Sequence, residues 1–198
     1  MKILLENVRI AFAHGLFEAR SIQGSKPRFS AVALIDKTDT KAIDKVISAM
    51  KAVAQEKWKE KGTQMYAVLE KQDRLALHDG STKPDYEGYE ESMFINVGSQ
   101  FGPNTKQGFV VLGRDRAPIG PDAGIIYSGC YVNMSIEVWA QDRKDEAGKR
   151  INAALKGVQF VRDGDAFSGS SAASADEFPD IADNGECTEE DAAALLGN

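Results

Sequence analysis

A strict two-residue alternation constrains the fold of this chain more than any other feature of its sequence. In YVNMSIEVWAQD, which starts at Tyr131, an apolar side chain occupies every second position, while Tyr131 and Trp139 share the other positions with polar residues. A period of two places these two sets on opposite faces of a β-strand. One face therefore belongs to a core, and the other carries more aromatic surface than contact with water alone requires.

The rest of the sequence predicts further strands and one long helix. Apolar residues recur at helical spacing over 39–60, with Asp39 as the N-cap and Gly62 as the stop, and a short helical or irregular piece follows at 64–72. Breaks in the strand alternation at 6–7 and 156–157 indicate β-bulges. Strands are predicted at 2–12, 29–36, 93–99, 108–112, 127–142 and 150–162.

Bulged strands that bend, with a helix inserted after the second strand, favour a small, partly open barrel over a sandwich. We therefore predict a mainly β fold, an OB-fold barrel of five to six strands with one inserted α-helix. The barrel domain is expected to span 1–163. Residues 164–198 are rich in Ser, Ala, Gly and Asp and cannot bury enough surface to become ordered, so we expect a flexible, disordered acidic tail.

The net charge of −6 conceals a strong asymmetry along the chain. No Lys or Arg follows Arg162, but ten acidic residues do, which leaves 24 basic and 20 acidic residues in 1–162, a net charge of +4. A polyanionic tail on a basic body is typical of an interaction segment that competes with nucleic acid for a basic groove. A terminus that only solubilises the protein remains the alternative.

The N-terminus, the apolar runs and the cysteines also indicate the cellular compartment. MKILLENVRI carries charges and lacks the apolar run of a signal peptide, and no stretch approaches the roughly 18 apolar residues of a membrane span. Cys130 and Cys187 cannot form a metal site alone, and their positions in a strand and in the tail argue against a disulfide. We expect no membrane association and a reducing cytoplasm.

Recognisable catalytic motifs are absent from the sequence. His14 and His78 have no partners at ligand spacing, and neither a phosphate-binding loop nor a dinucleotide fingerprint is present, so we expect no metal and no cofactor. One enzymatic alternative stays open, a metal-dependent nuclease that uses loop carboxylates. Its candidates are two acidic pairs, Asp79 with Asp85 and Asp115 with Asp122.

Basic and aromatic residues interleave in three places, and this mixture suits single-stranded nucleic acid. Cations contact the phosphates, and flat rings stack on bases at about 1–3 kcal/mol each without reading sequence. Phe29 follows the first basic patch directly. The candidate binding residues are Arg20, Lys26, Arg28, Lys83, Tyr86, Tyr89, Tyr127, Tyr131, Trp139 and Arg143.

The sequence resembles the OB-fold single-stranded DNA-binding proteins of tailed bacteriophages over most of residues 1–165. The segments that carry the resemblance are LFEAR at 16–20, KPRFSAVALIDK at 26–37, LHDGSTKPDYEGY at 77–89, IYSGCYVNMSIEVWA at 126–140 and GVQFVRDGD at 157–165.

The resemblance implies an OB-fold core, sequence-independent binding of single-stranded DNA in phage replication, recombination or repair, and a tail that contacts replication or recombination proteins. Such tails often finish on an aromatic residue, whereas this chain ends LLGN, so the internal element DEFPDI becomes the candidate docking segment: Asp176, Glu177, Phe178 and Asp180. A non-enzymatic protein is expected, and a homodimer is possible. An OB-type adaptor that binds only protein remains a further alternative.

Overall fold

A computed structural model describes residues 1–21, 26–145 and 148–167 of the chain. The described chain is mainly β, with seven strands in one sheet and two α-helices between the second and third strands. The strands are β1 (Lys2–Ala11), β2 (Phe29–Asp36), β3 (Leu77–Asp79), β4 (Ser92–Ser99), β5 (Val110–Leu112), β6 (Tyr131–Asp142) and β7 (Lys149–Arg162), and the helices are α1 (Thr40–Trp58) and α2 (Gly62–Lys71).

Five of the strands close into a barrel. The antiparallel order β4-β2-β1-β6-β7 is completed by a parallel pair between β4 and β7, in which Val97 lies opposite Ala153 and Gly98 opposite Ala154. The mainly β, OB-type fold with a helix after the second strand is thus confirmed. Seven strands replace the predicted five to six, because β3, only three residues long, extends the barrel outside β4.

Both predicted bulges are present, one in the β1–β6 pairing and one in the β6–β7 pairing. The register of β1 against β6 shifts between Leu5 and Val8, where Asn7 adopts a positive φ of 52°. The β6–β7 register shifts where Leu155 and Gly157 pair with adjacent residues, so Lys156 is the extra residue. An additional residue on one strand raises the local twist, which a small closed barrel requires.

Helix α1 packs its apolar stripe on the barrel, as predicted. Asp39 caps it by accepting a hydrogen bond from the Ala42 N–H at 3.0 Å. The prediction that Gly62 stops the helix is wrong, because Lys59 ends α1 with a φ of 50° and Gly62 begins α2. A Cβ at Gly62 would lie 2.6 Å from the Cα of Gln55, so glycine permits the close approach of the two helices.

A second hydrophobic cluster lies apart from the barrel core. It consists of Ala11, Val32, Leu34, Tyr89 and Phe94, with Phe167 packed against it. Its members come from β1, β2 and β4 and from the loop before β4, so it covers one outer face of the barrel. We call this group the outer cluster.

The folded body extends beyond the predicted boundary at residue 163. The Phe167 N–H donates to the Ser128 carbonyl at 3.0 Å, and the Gly164 N–H donates to the Tyr127 hydroxyl at 3.1 Å. Residues 164–167 therefore belong to the barrel domain. The predicted tail segment with Asp176, Glu177, Phe178 and Asp180 lies outside the described residues.

Candidate nucleic-acid interface

An open groove of about 740 Å³ crosses the outside of the barrel where β4 and β7 meet. Its walls come from the starts of β2 and β7, the ends of β4 and β6, and residues beside β3 and after β4: Leu75, Ala76, His78, Gln100, Phe101, Gln107 and Gly108. Among the described residues that line it there is no Asp or Glu, whereas five are cationic: Arg20, Arg28, Arg143, Arg150 and Lys156. The groove is therefore a concentrated patch of positive charge on a protein of negative net charge.

Backbone pairing holds two of the arginines together. Arg20 and Arg28 form an isolated antiparallel bridge, in which each N–H donates to the other residue's carbonyl at 3.0 Å. A Cβ placed at Gly98 would lie 3.7 Å from Nη2 of Arg28, so the guanidinium of Arg28 lies against the end of β4. Both side chains are exposed at one end of the groove.

Aromatic rings line the same groove as these cations. Trp139, on the polar face of β6, is 42% exposed, and Phe101, just after β4, is 48% exposed. Phe29 is half-buried, with its ring centroid 6.1 Å from that of Phe109 in the core. The alternation of β6 is confirmed, because Val132, Met134, Ile136 and Val138 are buried and the intervening positions are not.

Ion pairs organise the wall of the groove next to Trp139. Lys156 Nζ lies 2.8 Å from Oε2 of Glu137, and this lysine holds the pKa of the Glu137 carboxyl below its usual value. The acid on the aromatic face of β6 is therefore neutralised locally. Two further groove cations contact acids nearby in sequence, Arg20 with Glu18 at 2.9 Å and Arg143 with Asp145.

The predicted patch in the loop before β4 divides into one exposed and one buried ring. Tyr86 is 48% exposed, with Lys83 Nζ 5.7 Å from its ring centroid. Tyr89 is only 2% exposed in the outer cluster, and burial raises its pKa to about 12. Its prediction as a stacking residue is corrected, because its ring packs on Phe94 at 5.2 Å between centroids.

Tyr131 and Tyr127 lie away from the groove. The Arg162 guanidinium covers the Tyr131 ring at 3.3 Å from the centroid, and the Tyr127 hydroxyl donates to the Gly164 carbonyl at 2.9 Å. Eight residues of strand, about 27 Å at roughly 3.4 Å per residue, separate Tyr131 from Trp139. The structure therefore does not bring these two tyrosines together with the groove cations. Lys26 is exposed but does not line the groove.

Two of the four carboxylates of the nuclease alternative, Asp79 and Asp115, have local structural partners. Asp79 lies 2.8 Å from Lys37 Nζ and accepts a hydrogen bond from the Ser81 N–H. The hydrogen bond from Lys37 has the largest effect and that from Ser81 adds to it, and together they lower the pKa of Asp79 to about 2. Asp115 accepts from the Ala117 N–H at 3.0 Å within its own turn. In the parts of the chain that the structure describes, no three His, Cys, Asp or Glu residues form a metal-binding group.

Three charged or aromatic residues of the groove are not among the residues predicted from the sequence: Arg150, Lys156 and Phe101. The β6–β7 register explains the first two, since Arg150 lies opposite Gln141, two residues beyond Trp139, and Lys156 is the bulge residue beside Glu137. A hairpin register counted outward from the predicted turn would have placed Arg150 near Trp139.

The site matches the region that OB-type barrels use for oligonucleotides, namely the second and third barrel strands and the loops beside them. Here those strands are β2 and β4, and the connections are those between β1 and β2 and between β6 and β7. No helix among the described residues is long and apolar enough to span a membrane.

Comparison with known proteins gives consistent results. The chain is 36% identical over 184 residues to protein p50 of Acyrthosiphon pisum secondary endosymbiont phage 1, covering 91% of this chain and 94% of p50. Its fold is similar to the structure of the single-stranded DNA-binding protein from bacteriophage Enc34 in complex with ssDNA, with a TM-score of 0.65, 26% identity, and coverage of 83% of this chain and 88% of that one.

A more distant structural likeness supports the fold alone. Gp2.5, a single-stranded DNA-binding protein encoded by bacteriophage T7, aligns with a TM-score of 0.51 at 12% identity, covering 91% of this chain and 96% of gp2.5.

The sequence of residues 1–190 matches the family described as Enterobacter phage Enc34, ssDNA-binding protein. This chain therefore belongs to the family of the phage Enc34 ssDNA-binding protein.

Proposed function

We propose that this protein binds single-stranded DNA independently of sequence in the groove between β2, β4, β6 and β7. The observation that carries the proposal is the composition of the groove, which combines five cations with the exposed rings of Trp139 and Phe101 and has no acid among its described lining residues. Membership of the Enc34 family supports the same ligand.

The groove supplies both interactions that an unpaired strand requires. Its arginines neutralise phosphates, which releases condensed counterions and makes the affinity fall with salt. Trp139 and Phe101 present flat surfaces on which bases stack, and every base has such a surface, so no sequence is read. A duplex keeps its base faces stacked inside, so unpaired strands are preferred.

No catalytic step enters this proposal. The protein would coat unpaired strands during phage DNA replication, recombination or repair in the host cytoplasm. The tail would compete with DNA for the groove, because all its charged residues are acidic, and it would contact replication or recombination proteins when DNA displaces it. Within the tail, the docking element would be Asp176, Glu177, Phe178 and Asp180.

Fluorescence titration tests the groove directly. In a Trp58→Phe variant, Trp139 is the remaining tryptophan, since the chain contains two. Oligothymidylate should quench its emission at low salt, and the quenching should weaken as salt is raised. A mobility shift with the same probe is the parallel measurement. The absence of both signals would overturn the function, whereas a shift without quenching would move the site away from Trp139.

A further inference from the structure

A second aromatic platform stands outside the groove, on the outer face of the barrel. Phe12 is 40% exposed and Tyr86 is 48% exposed, and their ring centroids are 5.8 Å apart at an interplanar angle of 66°. Lys83 Nζ lies 5.7 Å from the Tyr86 ring centroid. Two large exposed rings offer flat surfaces for base stacking, and the adjacent cation lies against one of them. We call Phe12, Lys83 and Tyr86 the platform.

The platform and the groove lie on one continuous surface. Asn96 of β4 lines the groove, and its partner across the strand pair is Val32 of the outer cluster. His78 also lines the groove, and its ring stacks on Phe94 at 5.1 Å and 25°. Phe94 in turn lies 4.9 Å from Lys83 Nζ. The path from groove to platform thus follows the β2–β4 pair without crossing to another face.

Contacts beneath the platform hold the rings in place. The Tyr86 ring lies on the buried Tyr89 ring at 5.4 Å between centroids. A Cβ at Gly80 would lie 1.9 Å from the Tyr89 carbonyl oxygen, so this loop is packed tightly at its start. Phe12 adopts a φ of 55°, a conformation that bulky residues rarely adopt and that other contacts must stabilise. An exposed phenylalanine held in this conformation keeps its ring at the surface rather than in the core.

We propose that the platform is a second stacking subsite for the same DNA strand, reached from the groove across the β2–β4 face. The proposal rests on the function proposed above. It adds that Phe12 and Tyr86 bind the part of the DNA strand that extends beyond the groove. A strand longer than the groove continues over His78 and Asn96, and its bases stack on the two platform rings. Short strands fill the groove alone.

The charge of the surrounding loop sets how the platform contributes. Lys83 shares residues 80–91 with four acidic residues: Asp85, Glu87, Glu90 and Glu91. Net charge there is therefore unfavourable for phosphates, and the platform contributes through stacking. Loss of a platform ring should lower the affinity without changing the slope of log affinity against log salt, whereas loss of a groove arginine changes both.

The test compares short and long oligothymidylates, about 6 and about 16 nucleotides, which span the site sizes of OB folds. Tyr86→Leu, which keeps apolar bulk and removes the flat ring, should weaken the long probe by about fivefold or more and leave the short probe within about twofold. Tyr86→Phe should bind both probes as the unaltered protein does. Phe12→Leu should repeat the effect of Tyr86→Leu, with thermal unfolding confirming that each variant folds.

The outcomes separate this proposal from the one on which it rests. If Tyr86→Leu and Phe12→Leu bind the long probe as tightly as the unaltered protein, while Arg28→Ala weakens both probes, the subsite is refuted and the groove stands. If the salt slope falls in Tyr86→Leu, the ring acts through charge placement and the stacking subsite is likewise refuted. If the unaltered protein binds neither probe, the proposed function itself fails.

Discussion

Lys156 and Glu137 form an ion pair of 2.8 Å on the wall of the groove, beside Trp139. The pair ties a groove cation to the only acid on the aromatic face of β6. It lets a carboxylate lie two residues from the proposed stacking ring without presenting an uncompensated negative charge. The lysine is also held away from any phosphate while the pair persists.

Replacing Glu137 with glutamine should therefore strengthen binding. Glu137→Gln removes one negative charge and frees Lys156, and exposed ion pairs of this kind are worth at most about 1 kcal/mol, so the gain should be up to about fivefold at low salt. Oligothymidylate affinity measured at low and high salt checks this, because screening should erase the gain at high salt. Unchanged or weaker low-salt binding would place the phosphates away from Lys156.

The two groove arginines without an ion pair to a described residue, Arg28 and Arg150, should set much of the salt dependence. Both line the groove: Arg28 directly precedes β2, and Arg150 lies on β7. Removing either cation should reduce the slope of log affinity against log salt by about 0.7. The measurement is a salt titration of oligothymidylate binding by Arg28→Ala and Arg150→Ala. Arg116→Gln, which alters an exposed arginine outside the groove lining, is the matched control and should keep the full slope.

Acid should loosen the loop that carries the platform. The folded-state pKa of Asp79 is about 2, below the ordinary 3.8, mainly because of Lys37. A depressed pKa contributes stability that is present above about pH 4 and is lost as the pH falls towards 2. Asp79→Asn should thus cost up to about 1 kcal/mol of unfolding free energy at pH 7, since the group is exposed, and much less near pH 2.

Urea unfolding of Asp79→Asn and of the unaltered protein across this pH range provides the measurement. Asp44→Asn, on the exposed side of α1, changes the same charge without a lysine partner among the described residues and serves as the control. A difference between Asp79→Asn and the unaltered protein that persists unchanged at pH 2 would contradict the assigned role of the Lys37 pair.

Periodic features of this fold could be predicted from the sequence, and long-range geometry could not. The alternation of β6, the stripe of α1 and the bulge at Lys156 all leave local signals, because each depends on neighbouring residues. The parallel pairing of β4 with β7, which closes the barrel, depends on the shape of the whole barrel and leaves no local signal in the sequence. A three-residue strand such as β3 is too short for any period to show.

The same distinction between local signals and long-range geometry applies to the residues of the candidate site. Arg20, Arg28, Trp139 and Arg143 could be chosen by residue type and do meet in the groove. Tyr86 and Tyr89 could not be told apart, because both lie in an aperiodic loop and only its packing on β4 decides which ring is buried. Tyr131 shares a face with Trp139, but the strand's length and the cover of Arg162 separate the two.

Two truncations should separate the tail from the folded body. Removing 168–198 deletes eight acids and no base, and should tighten oligothymidylate binding at low salt if the tail competes for the groove. Removing 164–198 also deletes the hydrogen bond from Arg9 to the Asp165 carbonyl at 2.7 Å and the Phe167 ring over Arg9 at 4.4 Å. The shorter chain should lose about 2–4 kcal/mol of unfolding free energy.

Chemical denaturation and salt-dependent titration of both truncated chains provide the comparison. Equal stability of the two would show that residues 164–167 contribute nothing to the body, against the contacts of Gly164 and Phe167. Unchanged low-salt affinity after removal of 168–198 would end the competition hypothesis while leaving the groove intact. Because competition by a polyanion is electrostatic, any tightening should vanish at high salt, and a gain that survives high salt would require a different cause.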